Sequence, residues 1–516
     1  MKNNESAFNG GRQKIVTDVI KVAISNIIKL ASGILIGFLL PKIIGVTDYG
    51  LYKTFTLYGT YVGLLHFGFL DGIILKFGGT ELGDLKKASF RTYSLYITIT
   101  QLIECVIIAA IALFALDGEY KFIFIAISFY AITSILTSYY QDISQVTGRF
   151  KELSKVNIIQ SLLTIITIVV LWAVHHFSGT VISYRIYTII FVSIYFLLMV
   201  WYIFIYHELT FGKRTRLRDE TGNIKEFYKI GFPLMVANLV SSLLLTVDRQ
   251  FVNIAYTTEE YAVYAFAYNM LTLITTATSA ISTVLYPNMK RAKESTLKAN
   301  YSRLNSIILV FINACLLVYF PLYLFVNWFL PKYSASLPIF RIVLPALAMS
   351  SCVTIVMHNY YKTIGKNFRF FVIGLIDLGL AIGADFIAYY TVGTMESLSW
   401  ASVIVTVLWY IMAEFYFIKN YHVKWAKNFV YALLMMGLFY GSAFIPNIYI
   451  GFGVYFLSFI LATVALYYRE LKGAYLKFKK KREEKKMAKV SESAVPETKQ
   501  ETDSTNASPD SETKQE

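Results

Sequence analysis

Four cations stand where a strongly apolar sequence should exclude charge. Lys21, Ser25, Lys29 and Ser32 follow one another at i, i+4, i+8 and i+11, a spacing that places them on one stripe of an α-helix. Asn26 lies beside that stripe. Lys53 falls early in the next apolar run. Arg249 closes a later run, next to Asp248 and on the side that carries Asn238 and Ser242. A charge at membrane depth is costly, and it usually faces a bundle interior or a wet cavity. These cations therefore point to a cavity for an anionic cargo. The Arg249 guanidinium suits bidentate contact with phosphate better than an ammonium does. Each also has a plainer reading. Lys21 and Lys29 can snorkel toward an interface, Lys53 can be an interfacial anchor, and Asp248–Arg249 can be a structural ion pair.

A second set is acidic. Glu104, Asp377, Asp385 and Glu414 lie inside apolar runs, where ionised carboxylates tend to be protonated, paired or ion-bound. With Asp248 they are the candidates for coupling to H+ or Na+. Asp377 leads, although Gly379 and Gly383 nearby could instead make its helix a close-packing element. Thr272 and Thr275 belong to a stripe from Tyr268 to Tyr286 that either lines the cavity or packs against a neighbouring helix. His66 and His358 are lone histidines of the core or interface. Cys105, Cys315 and Cys352 all fall in apolar runs without CxxC spacing, so neither a metal site nor redox chemistry is expected. No catalytic constellation stands out, and an enzyme is not expected.

The elements that must position these residues are membrane helices. Of 516 residues, 56% are hydrophobic and 16% charged, with a mean hydropathy of +0.53; soluble domains run at about 45–50% apolar and about 25% charged. Apolar stretches of about 20 residues, each able to cross a ~30 Å core, alternate with short polar loops from Val16 onward. They number about fourteen, weakest around Lys53 and Phe67 and around Tyr333. The net charge of +15 is concentrated in alternate loops, such as Lys86, Lys87 and Arg91, then Arg149, Lys151 and Lys155, then Lys213 to Arg218. That alternation places both termini in the cytosol.

The chain then divides into a cytosolic N-terminus (1–14), a first lobe of six helices (15–206) and a basic cytosolic linker (207–228). A second six-helix lobe (229–420) and an accessory pair (421–468) come next. The end, 469–516, is basic and then rich in Ser, Glu, Thr and Pro, a composition that favours disorder. A shift of about 212 residues lays Asn26 on Asn238, Tyr49 on Tyr261 and Tyr52 on Tyr264, consistent with a parallel repeat. The fold class expected is an all-α polytopic membrane protein with two pseudo-symmetric lobes.

Several segments are similar to those of a known family. Tyr228–Phe251, with its Gly-Phe-Pro start and terminal Asp248-Arg249, resembles the seventh helix of polysaccharide exporters and oligosaccharide flippases. The helix leading to Leu285-Tyr286-Pro287, the Asp48–Tyr52 segment and the Gly148-Arg149 loop resemble the same family. Gly393–Ser397 matches its Gly-rich stretch only in part. The family belongs to the multidrug/oligosaccharidyl-lipid/polysaccharide exporter superfamily, and the resemblance spans about residues 15 to 470. It implies a flippase of the bacterial cytoplasmic membrane that moves undecaprenyl-pyrophosphate-linked repeat units outward for capsule, exopolysaccharide or O-antigen assembly. It also implies alternating access between lobes, no cofactor, and partners among membrane lipids, polysaccharide polymerases and glycosyltransferases; nucleic acid is not among them. Lys29, Arg249, Lys53 and Lys21 would then contact the diphosphate. A cation-coupled multidrug exporter and a lipid II flippase remain open within the fold. A membrane polysaccharide polymerase or acyltransferase is the alternative of a different class.

Overall fold

The computed structural model describes residues 25, 27–244, 246–290, 292–423 and 425–468. Lys21, Asn26, the N-terminal segment and the tail after Tyr468 lie outside the described residues. The chain divides into two compact units, Met1–Phe459 and Ile460–Glu516. The described part of the second, 460–468, is helical. The first holds the remaining described residues.

The described residues contain helices and no strand. The first helix, α1, covers 27–43. It leads into α2 (Val46–Gly59), α3 (Phe69–Phe77), α4 (Lys87–Ala115), α5 (Gly118–Val146), α6 (Phe150–Ser178), α7 (Tyr184–Ile205) and the short α8 (His207–Thr210). Beyond the basic linker come α9 (Leu217–Leu244), α10 (Val247–Ala255), α11 (Thr258–Lys290), α12 (Glu294–Cys315) and α13 (Tyr319–Phe329). Then α14 (Ser336–Val343), α15 (Leu347–Ser351), a π-helical turn (Cys352–Met357) and α16 (His358–Thr363) run almost continuously. Last come α17 (Asn367–Thr391), α18 (Met395–Tyr421) and α19 (Trp425–Ala443).

Nine described helical segments are long and apolar enough to cross a membrane, or ten if α2 and α3 form one broken span. Phe114, Phe177 and Trp328 are 91%, 85% and 78% exposed, a flank that only lipid could cover without cost. A count of fourteen requires α1, α9, α11 and α19 to cross as well. Two of these, α9 and α11, carry Ser242, Thr272 and Thr275 to an interior cavity.

The break between α2 and α3 bends the chain by 54°. Phe67 and Gly68 adopt φ of 48° and 87° there, and His66 Nδ1 accepts the Gly68 N–H at 3.1 Å. The weak apolar pattern at Phe67 thus marks a real interruption. Tyr333 likewise falls in a 3₁₀ turn, Pro331–Tyr333.

Helices α2, α4, α5, α6 and α7 pack among themselves, as do α9 to α12 with α14 to α18. Two seams join the groups, α2 against α11 and α3 against α9. The helices α2 and α11 are the pair related by the 212-residue shift, and Thr47 Oγ1 donates to Glu259 Oε1 across them at 2.6 Å.

The basic linker is tied down. Arg91 donates to the Glu208 and Lys213 carbonyls at 2.8 and 3.0 Å. Lys87 Nζ lies 2.5 Å from Glu208, and its hydrogen bond and charge hold that carboxyl below its ordinary pKa. At the start of α9 the buried Glu220 accepts from Ser89 Oγ (2.6 Å), Asn223 Nδ2 (2.8 Å) and the Tyr93 hydroxyl. Glu220→Ala strands three donors. It should cost about 2–4 kcal/mol of stability, read as a lowered thermal midpoint in detergent; an unchanged midpoint would mean water replaces the carboxylate.

Candidate functional site

A cavity of about 410 Å³ opens among α9, α10, α11, α14, α15, α17 and α18. Its volume falls within the range of about 300–1,000 Å³ common for small-molecule sites. Among the described residues, only Thr60 reaches it from the first group of helices. Ser242, Thr272 and Thr275 line it, as do Asp248, Arg249, Asp377 and Asp385. Seven sequence candidates from four helices therefore converge.

Asp248 is held by its neighbours. Its Oδ1 accepts the Arg249 N–H at 2.7 Å, and its Oδ2 accepts from the Tyr264 hydroxyl at 3.1 Å and from Ser402 Oγ at 3.4 Å. Asp377 and Asp385 stand two turns apart on α17 with Ala381 between them, all three on the cavity wall. Both carboxyls are buried, yet Asp377 Oδ1 and Asp385 Oδ2 have no hydrogen-bond partner among the described residues. Buried carboxylates in that condition demand a proton or a cation. The close-packing alternative for this helix fails, since a Cβ at Gly379 or Gly383 would meet nothing within 4 Å.

Arg249 extends its guanidinium over the Tyr268 ring, 5.1 Å from the centroid. Lys53 is seated between Tyr49 and Tyr52, at 5.2 and 5.9 Å from their centroids, and donates to Asn269 Oδ1 at 3.4 Å. Asn269 Nδ2 in turn donates to the Gly37 carbonyl at 3.1 Å. Arg249 and Lys53 thus engage adjacent residues of α11, Tyr268 and Asn269. These cations come from different helix groups; Arg249 lies on the cavity wall and Lys53 does not, and Lys53 has no ion-pair partner among the described residues. Neither Asn269 nor Ser402 stood out in the sequence. Asn269 lies three residues before Thr272 on α11, and Ser402 and Thr406 lie one turn apart on α18, so helical spacing carried a signal for both.

The remaining candidates lie elsewhere. Ser25 and Ser32 are buried, while Lys29 between them is exposed and off the cavity wall. Asn238 is exposed and also off that wall. Glu104 is half-buried and accepts from Gln101 at 3.0 Å. Glu414 is buried in a separate cluster.

Both seams around this interior are shut. On the α2 side, Asn253 Nδ2 donates to Thr54 Oγ1 at 2.7 Å and Gln250 Nε2 to the Tyr58 hydroxyl at 3.1 Å. On the α3 side, Gly68 and Gly72 meet Gly231 backbone to backbone. A Cβ on Gly231 would fall 2.0 Å from the Gly68 oxygen and 2.5 Å from the Gly72 nitrogen. Lys76 adds an ion pair with Glu226 at 2.6 Å.

A helical membrane bundle with a polar interior closed at two seams is an arrangement suited to a transporter, and comparison with known proteins supplies its family. The family described as polysaccharide biosynthesis protein matches residues 15–293, more than half of the chain, and the chain belongs to it. Among solved structures, the lipid II flippase MurJ in an inward closed conformation superposes with a TM-score of 0.64 at 15% identity, over 88% of this chain and 99% of that one. A MATE transporter of Vibrio cholerae, VcmN, superposes with a TM-score of 0.51 at 12% identity, over 80% and 98%. At these identities the likeness is one of fold. No curated protein matches the sequence.

Proposed function

We propose that this protein is a flippase that carries polyprenyl-diphosphate-linked oligosaccharide repeat units, with undecaprenyl as the lipid, across a bacterial cytoplasmic membrane for capsule, exopolysaccharide or O-antigen assembly. The observation that carries the reading is the placement of Arg249 and Lys53, cations from different helix groups, on the adjacent Tyr268 and Asn269 of α11. Cations in a membrane interior are costly unless an anion meets them, and a diphosphate is such an anion. Tyrosine hydroxyls and Asn269 around the pair supply hydrogen bonds for sugars. The family's role in polysaccharide biosynthesis supports the same cargo. Parting the two seams in turn would expose the site to each side, with the prenyl chain remaining in lipid. In that scheme both termini and the basic loops are cytosolic, and α19 with the next helix is an accessory pair. Asp248, Asp377 and Asp385 bind the coupling H+ or Na+. Polymerases and glycosyltransferases act before and after this step.

The acidic, aromatic-edged cavity favours a second reading, a cation-coupled multidrug exporter. Deletion of the gene separates the readings. Loss of surface polymer, with complete diphosphate-linked units accumulating on the inner leaflet, is the expected result. Normal polymer with drug hypersensitivity would establish the exporter. Accumulated lipid II with lysis would move the cargo to peptidoglycan precursor, and a change in polymer length alone would indicate a membrane enzyme.

A further inference from the structure

Away from cavity and seams, the rim of the second helix group at the α16–α17 turn carries cations that no acid attends. Lys362 lies in the last turn of α16, Lys366 caps the start of α17, Arg369 follows in α17, and Lys419 lies in the last turn of α18. The backbone closes the turn. The Lys366 N–H donates to the Tyr361 carbonyl at 2.9 Å, and the Arg369 N–H to the Lys366 carbonyl at 3.1 Å. Arg369 reaches across to α18, its guanidinium 5.0 Å from the centroid of Tyr416. Lys419 stands one turn beyond Tyr416 on the same face. All four cations are exposed.

Other basic stretches keep an acid at hand. Lys155 lies 3.5 Å from Glu152, and Lys298 lies 3.0 Å from Glu294. The four rim cations have no ion-pair partner among the described residues. The sequence holds no Asp or Glu from 358 to 376 or from 415 to 468. Aromatic rings adjoin this charge. Phe368, between Lys366 and Arg369, is 76% exposed, and Phe415, one turn before Lys419, is 64% exposed. Val372 and Ile376 continue the exposed apolar face of α17, as Ile411 and Leu408 continue that of α18. The two helices pack along each other. Cations set at the end of two such faces match a phosphate above acyl chains, and basic clusters at helix ends beside a leaflet attract anionic headgroups.

We propose that Lys362, Lys366, Arg369 and Lys419, with Phe368 and Phe415, form a binding site for one anionic phospholipid. The guanidinium and the ammonium groups take the headgroup phosphate, and the rings and aliphatic faces of α17 and α18 take the acyl chains. Charge complementarity selects this occupant, since a zwitterionic lipid brings no net charge to four unneutralised cations. The inference rests on the cytosolic placement of the basic loops, which puts this rim in the inner leaflet, and not on the cargo.

The test is native mass spectrometry of the purified full-length protein, titrated in detergent with phosphatidylglycerol or phosphatidylcholine. The expected result is one saturable phosphatidylglycerol per chain that phosphatidylcholine does not match. Glycerol phosphate, a headgroup without chains, should not displace it. Lys366→Gln/Arg369→Gln/Lys419→Gln should weaken binding at least about 30-fold, at about fivefold per charge. Phe368→Ser/Phe415→Ser should weaken it with every charge in place. Lys213→Gln/Arg214→Gln/Arg216→Gln removes equal charge from another basic loop and should bind as the parent does. Should the first triple variant fail to accumulate, Lys366→Gln and Lys419→Gln alone must each weaken binding about fivefold. Equal losses in the two triple variants would reveal diffuse attraction and overturn the site, as would unchanged binding in the rim variants. Polyprenyl diphosphate that binds here in preference to phosphatidylglycerol would give the patch to the cargo and overturn it too. Binding in detergent depends on neither sidedness nor transport, so its outcome is independent of the deletion phenotype.

Discussion

Arg249→Ala and Lys53→Ala each remove surface glycan while leaving protein abundance unchanged; this is the expected result if the paired cations hold the diphosphate. Hydrogen bonds to charged groups contribute about 1.5–3 kcal/mol each. At about 1.4 kcal/mol per tenfold, each single variant should slow translocation roughly 10- to 100-fold. The double variant should depart from the product of the two, since both side chains act on one diphosphate. Arg249→Lys keeps the charge but loses the guanidinium fork, so it should fall between parent and alanine. Lys29→Ala is the informative comparison. Lys29 is exposed, so its removal should cost less than about tenfold. The measurement is outer-leaflet lipid-linked sugar per unit of immunodetected protein. Normal translocation in the Lys53 and Arg249 variants would dismiss the cationic site.

A second large effect is expected at the α3–α9 seam. A side chain on Gly231 meets backbone atoms of Gly68 and Gly72, which cannot yield as a flexible side chain would. Gly231→Leu must therefore hold the two helices apart, removing the state closed at this end. Transport should fall at least about 100-fold, because a carrier that cannot close one side cannot alternate. The direct readout is a thiol crosslinker between cysteines replacing Lys76 and Glu226, whose charged ends now lie 2.6 Å apart, in a chain freed of its own three cysteines. The crosslink should form in the parent and fail in Gly231→Leu. Equal yields would show that this seam does not gate.

Much of the architecture was legible because membrane helices are written in one dimension. Length, apolarity and loop charge locate them without knowledge of their neighbours. The break at Phe67 was visible for the same reason. So were Asp377 and Asp385 on one face of α17, since helical spacing alone puts them together. What spacing cannot supply is the direction that face looks. Ser25, Lys29 and Ser32 share a stripe, yet the serines are buried and the lysine is exposed. The approach of Gly68 and Gly72 to Gly231 links residues far apart in the chain, and nothing local at Gly231 announces it. That Asn269 holds Lys53 is hidden for the same reason.

The two seams are fastened by different chemistry. Among the described residues, the α3 side combines tight backbone contact with the Lys76–Glu226 ion pair, half open to water. The α2 side is held by hydrogen bonds without an ion pair, such as Asn253 to Thr54 and Gln250 to Tyr58. Dissolved electrolyte weakens exposed charge pairs and barely touches neutral amide–hydroxyl contacts. The ionic strength of the medium therefore acts on one door of the carrier and not the other, and the resting balance between inward and outward exposure becomes a property of the cell's salt as well as of the chain.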